Sequence, residues 1–283
     1  MSKAKILREL LATEETILAP CAFDALSARM IEKAGFKIAG TSGSGMHGVM
    51  LGRPDAGLLA FNEMAESLGK MCDAVSIPII ADAEGGYGNA INTIRTVKTF
   101  EKAGLGGLFI EDQKLPPNCP FMKQPPLVSI REMVGKIKAA VDARTDPDFV
   151  IVARSDAPFD EACERLNAYA EAGADLVKLV PRTNREFLEL PTRVKAPLHI
   201  GFTSGKGIHD GMTAWEIGEV GYKIVTFPMV PFNVIVYSGY EALKTLHREA
   251  TDESIHNMYS LDEYFEFIGF PELHALEEKY LSE

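Results

Sequence analysis

Positive charge is scarce in this sequence. Its 283 residues carry 29 Lys and Arg against 40 Asp and Glu, a formal net charge of -11. No basic stripe runs along any segment, so no nucleic-acid partner is expected. Cysteine is also sparse. Cys21, Cys72, Cys119 and Cys163 are scattered, and none sits in a CxxC spacing. That argues against a disulfide framework and a thiolate zinc site, and it points to a reducing, cytoplasmic location. No apolar run is long enough to span a bilayer, so no membrane partner is expected either. The opening MSKAKILRELLATEET is charged and amphipathic, without the apolar core and small-residue cleavage site of a secretory signal.

What the chain does have is alternation. Short β-branched runs occur at 16–20, 37–42, 77–84, 106–112, 149–156, 175–181, 197–202 and 222–228. Amphipathic stretches lie between them, such as DALSARMIEKAG, AINTIRTVKTFEKAG and DEACERLNAYAEAG, and these three end in a glycine stop. Strands alternating with helices imply a parallel sheet. Eight such units at this length predict a (β/α)8 barrel over residues 1–230, the catalytic core. Residues 231–283 read as further helices, one long and two shorter ones broken around Gly269–Pro271. Tyr264, Phe265, Phe267, Phe270 and Leu273 make this tail too apolar for a free surface, so it is expected to pack on the barrel or on a neighbouring subunit.

In parallel barrels the chemistry gathers where strands end. The second strand runs into TSGSG, Thr41 to Gly45; the third ends with Asp82 and Glu84; the fourth with Glu111 and Asp112; the fifth with Arg154 and Asp156. Taken singly, an acid at a strand end only caps a loop. Three carboxylates converging on one mouth need a cation, and hard oxygen donors of this kind suit Mg²⁺. Two residues apart on an extended strand, Asp82 and Glu84 are expected to face the same way. Arg154 offers a bidentate fork to a substrate carboxylate. The glycines and hydroxyls of TSGSG let backbone N–H groups approach an anion. His47 and His199 read as structural.

Five segments then carry a resemblance: APCAFDALSARMIEKAGF, SGSG with LGRPDAGLL, IPIIADAEGGYGNAINTIRTVKTFEKAG, IEDQ and VARSDA. The chain resembles the isocitrate lyase and phosphoenolpyruvate mutase superfamily, particularly its short methylisocitrate lyase and dimethylmalate lyase-like members. The resemblance implies a (β/α)8 barrel binding Mg²⁺, with Mn²⁺ as a substitute, through Asp82, Glu84 and Glu111. Asp82 would touch the metal and the others its waters. It implies a small carboxylic acid held by Ser42, Gly43, Ser44 and Arg154, with Arg154 and Asp55, near the mouth, also among the catalytic residues. It also implies a homotetramer in which C-terminal helices are exchanged between subunits.

The segment EDQKLPPNCPFMKQPP corresponds to the family's gate loop, and Cys119 falls on the lyase cysteine. The basic residues and histidine that flank that cysteine in lyases are replaced here by Pro117, Asn118, Pro120 and Phe121. A substrate smaller or less charged than a tricarboxylate follows, with Phe121 offering an apolar face to an alkyl group. The leading expectation is carbon–carbon cleavage of an alkylmalate-like 2-hydroxy diacid, with Cys119 as proton donor. Oxaloacetate decarboxylation or hydrolysis, carboxyphosphonoenolpyruvate mutase-type P–C chemistry, and a non-catalytic family member stay open as alternatives.

Overall fold

Glycine punctuates this chain where helices stop. Gly35, Gly104 and Gly173, the last residues of the KAG and EAG triplets, have φ of 90°, 93° and 108°. Only glycine takes these left-handed values without strain, so the chain can turn sharply from each helix into the next strand. The computed structural model describes residues 1–118, 123–202, 208–209 and 211–281.

All eight strand segments form strands: β1 (Ile17–Ala22), β2 (Ala39–Thr41), β3 (Ile79–Asp82), β4 (Gly107–Glu111), β5 (Val150–Ser155), β6 (Leu176–Leu179), β7 (Leu198–Gly201) and β8 (Tyr222–Phe227). They pair in parallel in chain order, and β8 closes on β1. The (β/α)8 barrel is therefore present.

Helix α1 (Lys3–Leu11) precedes the barrel. The connections carry α2 (Ala25–Lys33), α3 (Gly43–Leu51), α4 (Phe61–Ala74), α5 (Ala90–Lys102), α6 (Ile130–Ala143), α7 (Phe159–Glu171), α8 (Asn184–Arg193) and α9 (Ala214–Val220). The tail forms α10 (Val230–Glu249), α11 (Leu261–Ile268) and α12 (Phe270–Leu281).

Strand alternation sorts the core into two bodies. Ile79, Ala81, Leu108, Ile110, Ile151, Ala153, Val177 and Leu179 point outward and pack against the helices. Ile17, Ala19, Ile38, Ile80, Phe109, Val150, Val152, Leu176 and Ile224 fill the barrel, with Leu7 of α1 packed among them. Arg8 secures α1 by an ion pair of 2.7 Å to Asp175. The interior is thus apolar from its N-terminal end upward. The next inward positions are Cys21, Gly40, Asp82, Glu111, Arg154, Lys178, His199 and Thr226. Polar chemistry is confined to that layer and the loops above it.

The chain divides into two compact units, Met1–Asn233 and Val234–Glu283. Helices α10, α11 and α12 contain no buried residue. Within the second unit the aromatic rings group together, with Phe265 and Phe270 centroids 4.6 Å apart. Among the described residues no helix is long and apolar enough to cross a membrane.

Candidate functional site

The TSGSG segment is not the flexible turn its glycines suggest. It opens α3: Ser42 is the N-cap, and its hydroxyl accepts from the Gly45 N–H at 3.1 Å. Met46 and His47 bury the inner face of the helix, and Gly52 closes it in a left-handed C-cap. A first turn built of Gly43, Ser44 and Gly45 presents backbone N–H groups with almost no side-chain cover, the arrangement that accommodates an anion.

Gly43 is also where two acids meet. A Cβ placed there would lie 2.8 Å from Asp55 Oδ2 and 3.2 Å from Asp82 Oδ2. Ser44 donates to Asp55 Oδ2 at 3.3 Å. His47 is fully buried and holds the Asp55 segment in place. Its Nε2 accepts from the Leu58 and Leu59 N–H groups at 3.1 and 3.3 Å. Its Nδ1 therefore carries the proton, 2.9 Å from the Gly43 carbonyl and 3.5 Å from Asp55 Oδ1. The reading of His47 as structural agrees with these contacts, but the loop it positions belongs to the site.

One geometric expectation is corrected. Asp82 ends β3, and Glu84 does not continue it as extended chain. Glu84 has a φ of 46°, a left-handed conformation, and its N–H donates to Asp82 Oδ1 at 2.8 Å. The two carboxylates are neighbours because the chain turns, not because a strand alternates. The Glu84 carbonyl then accepts from the Glu111 N–H at 2.8 Å, which ties this turn to the end of β4.

Burial raises the Glu84 carboxyl to about 8, and the nearby Asp82 and Asp55 charges add to the rise. Burial also lifts Asp82, with Arg154 pulling it back and Asp55 pushing it up. Glu111 stands well above the usual carboxylate range for the same first reason; Arg154 opposes the rise, while Asp156, Asp82 and Glu84 add to it. These acids crowd one another, and Asp82 stays raised although Arg154 and Lys178 pull it down. Such a donor set fits a hard divalent cation. Among the described residues, no three His, Cys, Asp or Glu side chains form a ready metal cage.

The Arg154 fork is already engaged. Its Nε and Nη2 donate to Asp156 Oδ1 at 3.1 and 2.9 Å, and its Nη1 lies 3.1 Å from Glu111 Oε2. Burial works against the guanidinium charge, but Asp156, Glu111 and Asp82 outweigh it, and the net shift is upward. Asp112 lies beneath this group as an anchor. Its carboxylate accepts from Ser155 Oγ (2.7 Å), Tyr169 Oη (2.9 Å), Arg165 Nη1 (3.3 Å) and the Asp156 N–H (3.0 Å).

Asp156 also gathers both stems of the loop after β4. Gln113 Nε2 donates to its Oδ2 at 2.8 Å, and Gln124 Nε2 to its carbonyl at 2.7 Å. The stems pair with each other, Lys114 N–H to the Pro126 carbonyl at 2.8 Å and Val128 N–H to the Asp112 carbonyl at 2.9 Å. Cys119, Pro120, Phe121 and Met122 lie outside the described residues. Cys21, Cys72 and Cys163 are free and buried, in keeping with small core residues.

Lys178 escaped the sequence reading. It sits in the apolar run DLVKLVP and is 7% exposed. Its register partners are Arg154 on β5 and His199 on β7, which place it in the same ring as Glu111 and Arg154. Burial lowers its ammonium to about 8, and Arg154 adds to the fall while Cys21, Asp82 and Asp156 oppose it.

The phosphoenolpyruvate phosphomutase family pattern matches residues 7–247. The 2,3-dimethylmalate lyase of Eubacterium barkeri is 36% identical over 289 residues, covering 99% of each chain. The 2-methylisocitrate lyase of Aeropyrum pernix is 37% identical over 272 residues, covering 94% of this chain and 87% of its own. A phosphonopyruvate hydrolase solved with oxalate and Mg²⁺ superposes with a TM-score of 0.89 at 31% identity, covering 100% of each chain.

Proposed function

The chain belongs to the phosphoenolpyruvate mutase and isocitrate lyase superfamily, and from that premise we propose that it is a Mg²⁺-dependent carbon–carbon lyase. Its substrate would be a small 2-hydroxy dicarboxylic acid of the alkylmalate kind, split into a 2-oxo acid and a carboxylic acid. The observation that carries this reading is the bare first turn of α3 set against two acids, with Gly43 in contact range of both Asp55 and Asp82. A carboxylate can approach those N–H groups only if a cation offsets the acids beside them.

Asp82, Glu84 and Glu111 would hold that cation, Asp82 directly and the others through water, with Mn²⁺ able to replace Mg²⁺. When bound, Mg²⁺ would neutralise the carboxylate cluster and polarise the substrate's C2 oxygen. The chain's own residues do the rest. Ser42, Gly43 and Ser44 orient the carboxylate next to C2. Arg154 sets the position of Glu111 and gives the pocket a positive wall. Asp55, fixed by Ser44 and His47, lines the opposite side.

Cleavage breaks the C2–C3 bond as the C2 hydroxyl passes its proton to a carboxylate of the site, proposed to be Asp55, and becomes a carbonyl. The electron pair passes to C3, and Cys119 is proposed to protonate that carbon as general acid. An NMR time course with alkylmalates, isocitrate-type acids and oxaloacetate, with and without EDTA, tests the reading. A 2-oxo acid and a second acid should appear from a hydroxy diacid only with metal present. Cys119→Ser should abolish that reaction while largely sparing any oxaloacetate decarboxylation. Turnover of oxaloacetate alone would replace the lyase assignment with a decarboxylase.

The second compact unit supports a further part of the proposal, association into a homotetramer through exchanged C-terminal helices. Tyr237, Tyr240, Leu243, Leu276 and Tyr280 are between 53% and 70% exposed, more apolar surface than a lone unit keeps in water. Sedimentation at four times the 30.9 kDa chain mass is the expected result, and a monomer at micromolar concentration would refute it.

A further inference from the structure

The mouth layer holds two cations on neighbouring strands, and they are not equivalent. All three nitrogens of the Arg154 guanidinium are taken by Asp156 and Glu111. Lys178 has no such partner. Its ammonium lies 4.1 Å from the centroid of the Phe109 ring and, among the described residues, makes no hydrogen bond and no ion pair. A buried ammonium held only by an aromatic face is poorly satisfied, because the ring replaces only a small part of its lost hydration.

Beside it on β7 is a second unmatched atom. Thr226 Oγ1 donates to the Ile200 carbonyl at 3.0 Å, so its oxygen is left to accept. His199 Nε2, 3.3 Å away, is therefore the donor, and Nδ1 carries a lone pair. That Nδ1 is buried and has no partner. Burial, with Lys178 and Arg154, drives the imidazole well below its ordinary value. His199 is thus neutral and adds no further positive charge beside Lys178. Asp82 and Asp156 act on Lys178 only from a distance, so the layer keeps an ammonium with no direct anionic partner, next to an open acceptor.

We propose that Lys178 is the floor of a carboxylate subsite and takes the second, C4 carboxylate of a dicarboxylic substrate. This inference rests on the lyase reading and narrows its substrate class. The first carboxylate would lie at the start of α3, and the distant one would reach into the barrel to the unpaired ammonium. Lys178 then also acts in the reaction. When C2–C3 breaks, the electron pair left on C3 delocalises into the C4 carboxylate, and a cation touching that carboxylate stabilises the charge as it grows. The site thereby keeps a positive charge for the far end of its substrate even though the loop at Cys119 has lost its basic neighbours.

Calorimetric titration of the full-length protein with L-malate, and with L-lactate as the analogue lacking the C4 carboxylate, tests this with and without Mg²⁺. Lys178→Met keeps the chain length over Phe109 and removes the charge, and a melting curve checks that it is folded. Malate affinity should fall roughly 10- to 100-fold, to the lactate level, the loss of one charge-assisted hydrogen bond. Lactate affinity should be unchanged, and Lys178→Arg should recover part of the malate preference. Unchanged malate binding, or equal loss for malate and lactate, overturns the subsite. So does borohydride trapping of a pyruvate adduct on Lys178, which would make the amine a nucleophile instead. Binding that ignores Mg²⁺ in the wild type would instead count against the metal-dependent reading, leaving the malate–lactate difference to judge Lys178.

Discussion

Asp82→Asn will abolish turnover, by about a thousandfold or more, and will make the metal-free protein more stable. Both effects come from one carboxylate. Asp82 lies with Asp55 against Gly43, and Glu84 follows two residues on. Burial already disfavours its charge. An asparagine keeps the acceptor for the Glu84 N–H and the general shape, and it removes one of several like charges. The metal-free protein should gain about 0.5–2 kcal/mol, the usual scale when a functional site is relieved of strain. Thermal scans with and without Mg²⁺ would show both halves. The wild type should melt higher with Mg²⁺ by simple linkage, and the variant should not respond. A variant that still responds to Mg²⁺ and still forms 2-oxo acid would remove Asp82 from the proposed metal site.

Arg154→Met should have the largest cost to folding. It strips the partner from two buried carboxylates at once, Glu111 and Asp156. Breaking a buried pair by removing one member costs about 3–5 kcal/mol, which at this chain length is a fall of roughly 10 °C in melting temperature. The effect should depend on pH in a definite direction. Glu111 already titrates above its unfolded value, and Arg154 is what holds it down. Removing Arg154 raises it further. A group raised in the folded state contributes stability that is present below its unfolded value and is lost as pH rises through the folded one. The gap between variant and wild type should therefore widen as pH rises through the folded-state titration of Glu111 and narrow toward acid pH. Arg154→Lys should recover only part of the loss, since one ammonium cannot serve both acids in fork geometry. A gap that widens toward acid pH would contradict this account of Glu111.

The sequence made some of this site plain and concealed the rest for identifiable reasons. The strands, the glycine stops and the acids at strand ends were legible because they depend on local pattern. The α3 helix was not, since TSGSG has poor helix propensity. The helix forms through a serine cap, a left-handed Gly52 and the burial of Met46 and His47. The partnership of Asp82 with Glu84 was anticipated, but through the wrong geometry, because a left-handed φ at a glutamate leaves no mark in the sequence. Lys178 was hidden by the nature of a parallel barrel. Its strands are apolar on both faces, so alternation cannot tell which face looks inward. Only closure of the sheet shows that the lysine shares a ring with Arg154.

Asp156 has every hydrogen-bonding atom in use. Oδ1 holds Arg154, Oδ2 and the carbonyl hold Gln113 and Gln124, and the N–H is held by Asp112. It is thus a junction between the charge balance of the pocket and the two roots of the loop that follows β4. Thermodynamic reciprocity applies to such a junction. Any ligand that draws Arg154 away from Asp156 changes the free energy of the loop's anchorage, and any change in that anchorage alters ligand affinity by the same factor. Substitutions at Gln113 or Gln124, which hold neither Arg154 nor the acids proposed to bind metal, should therefore register as altered substrate affinity.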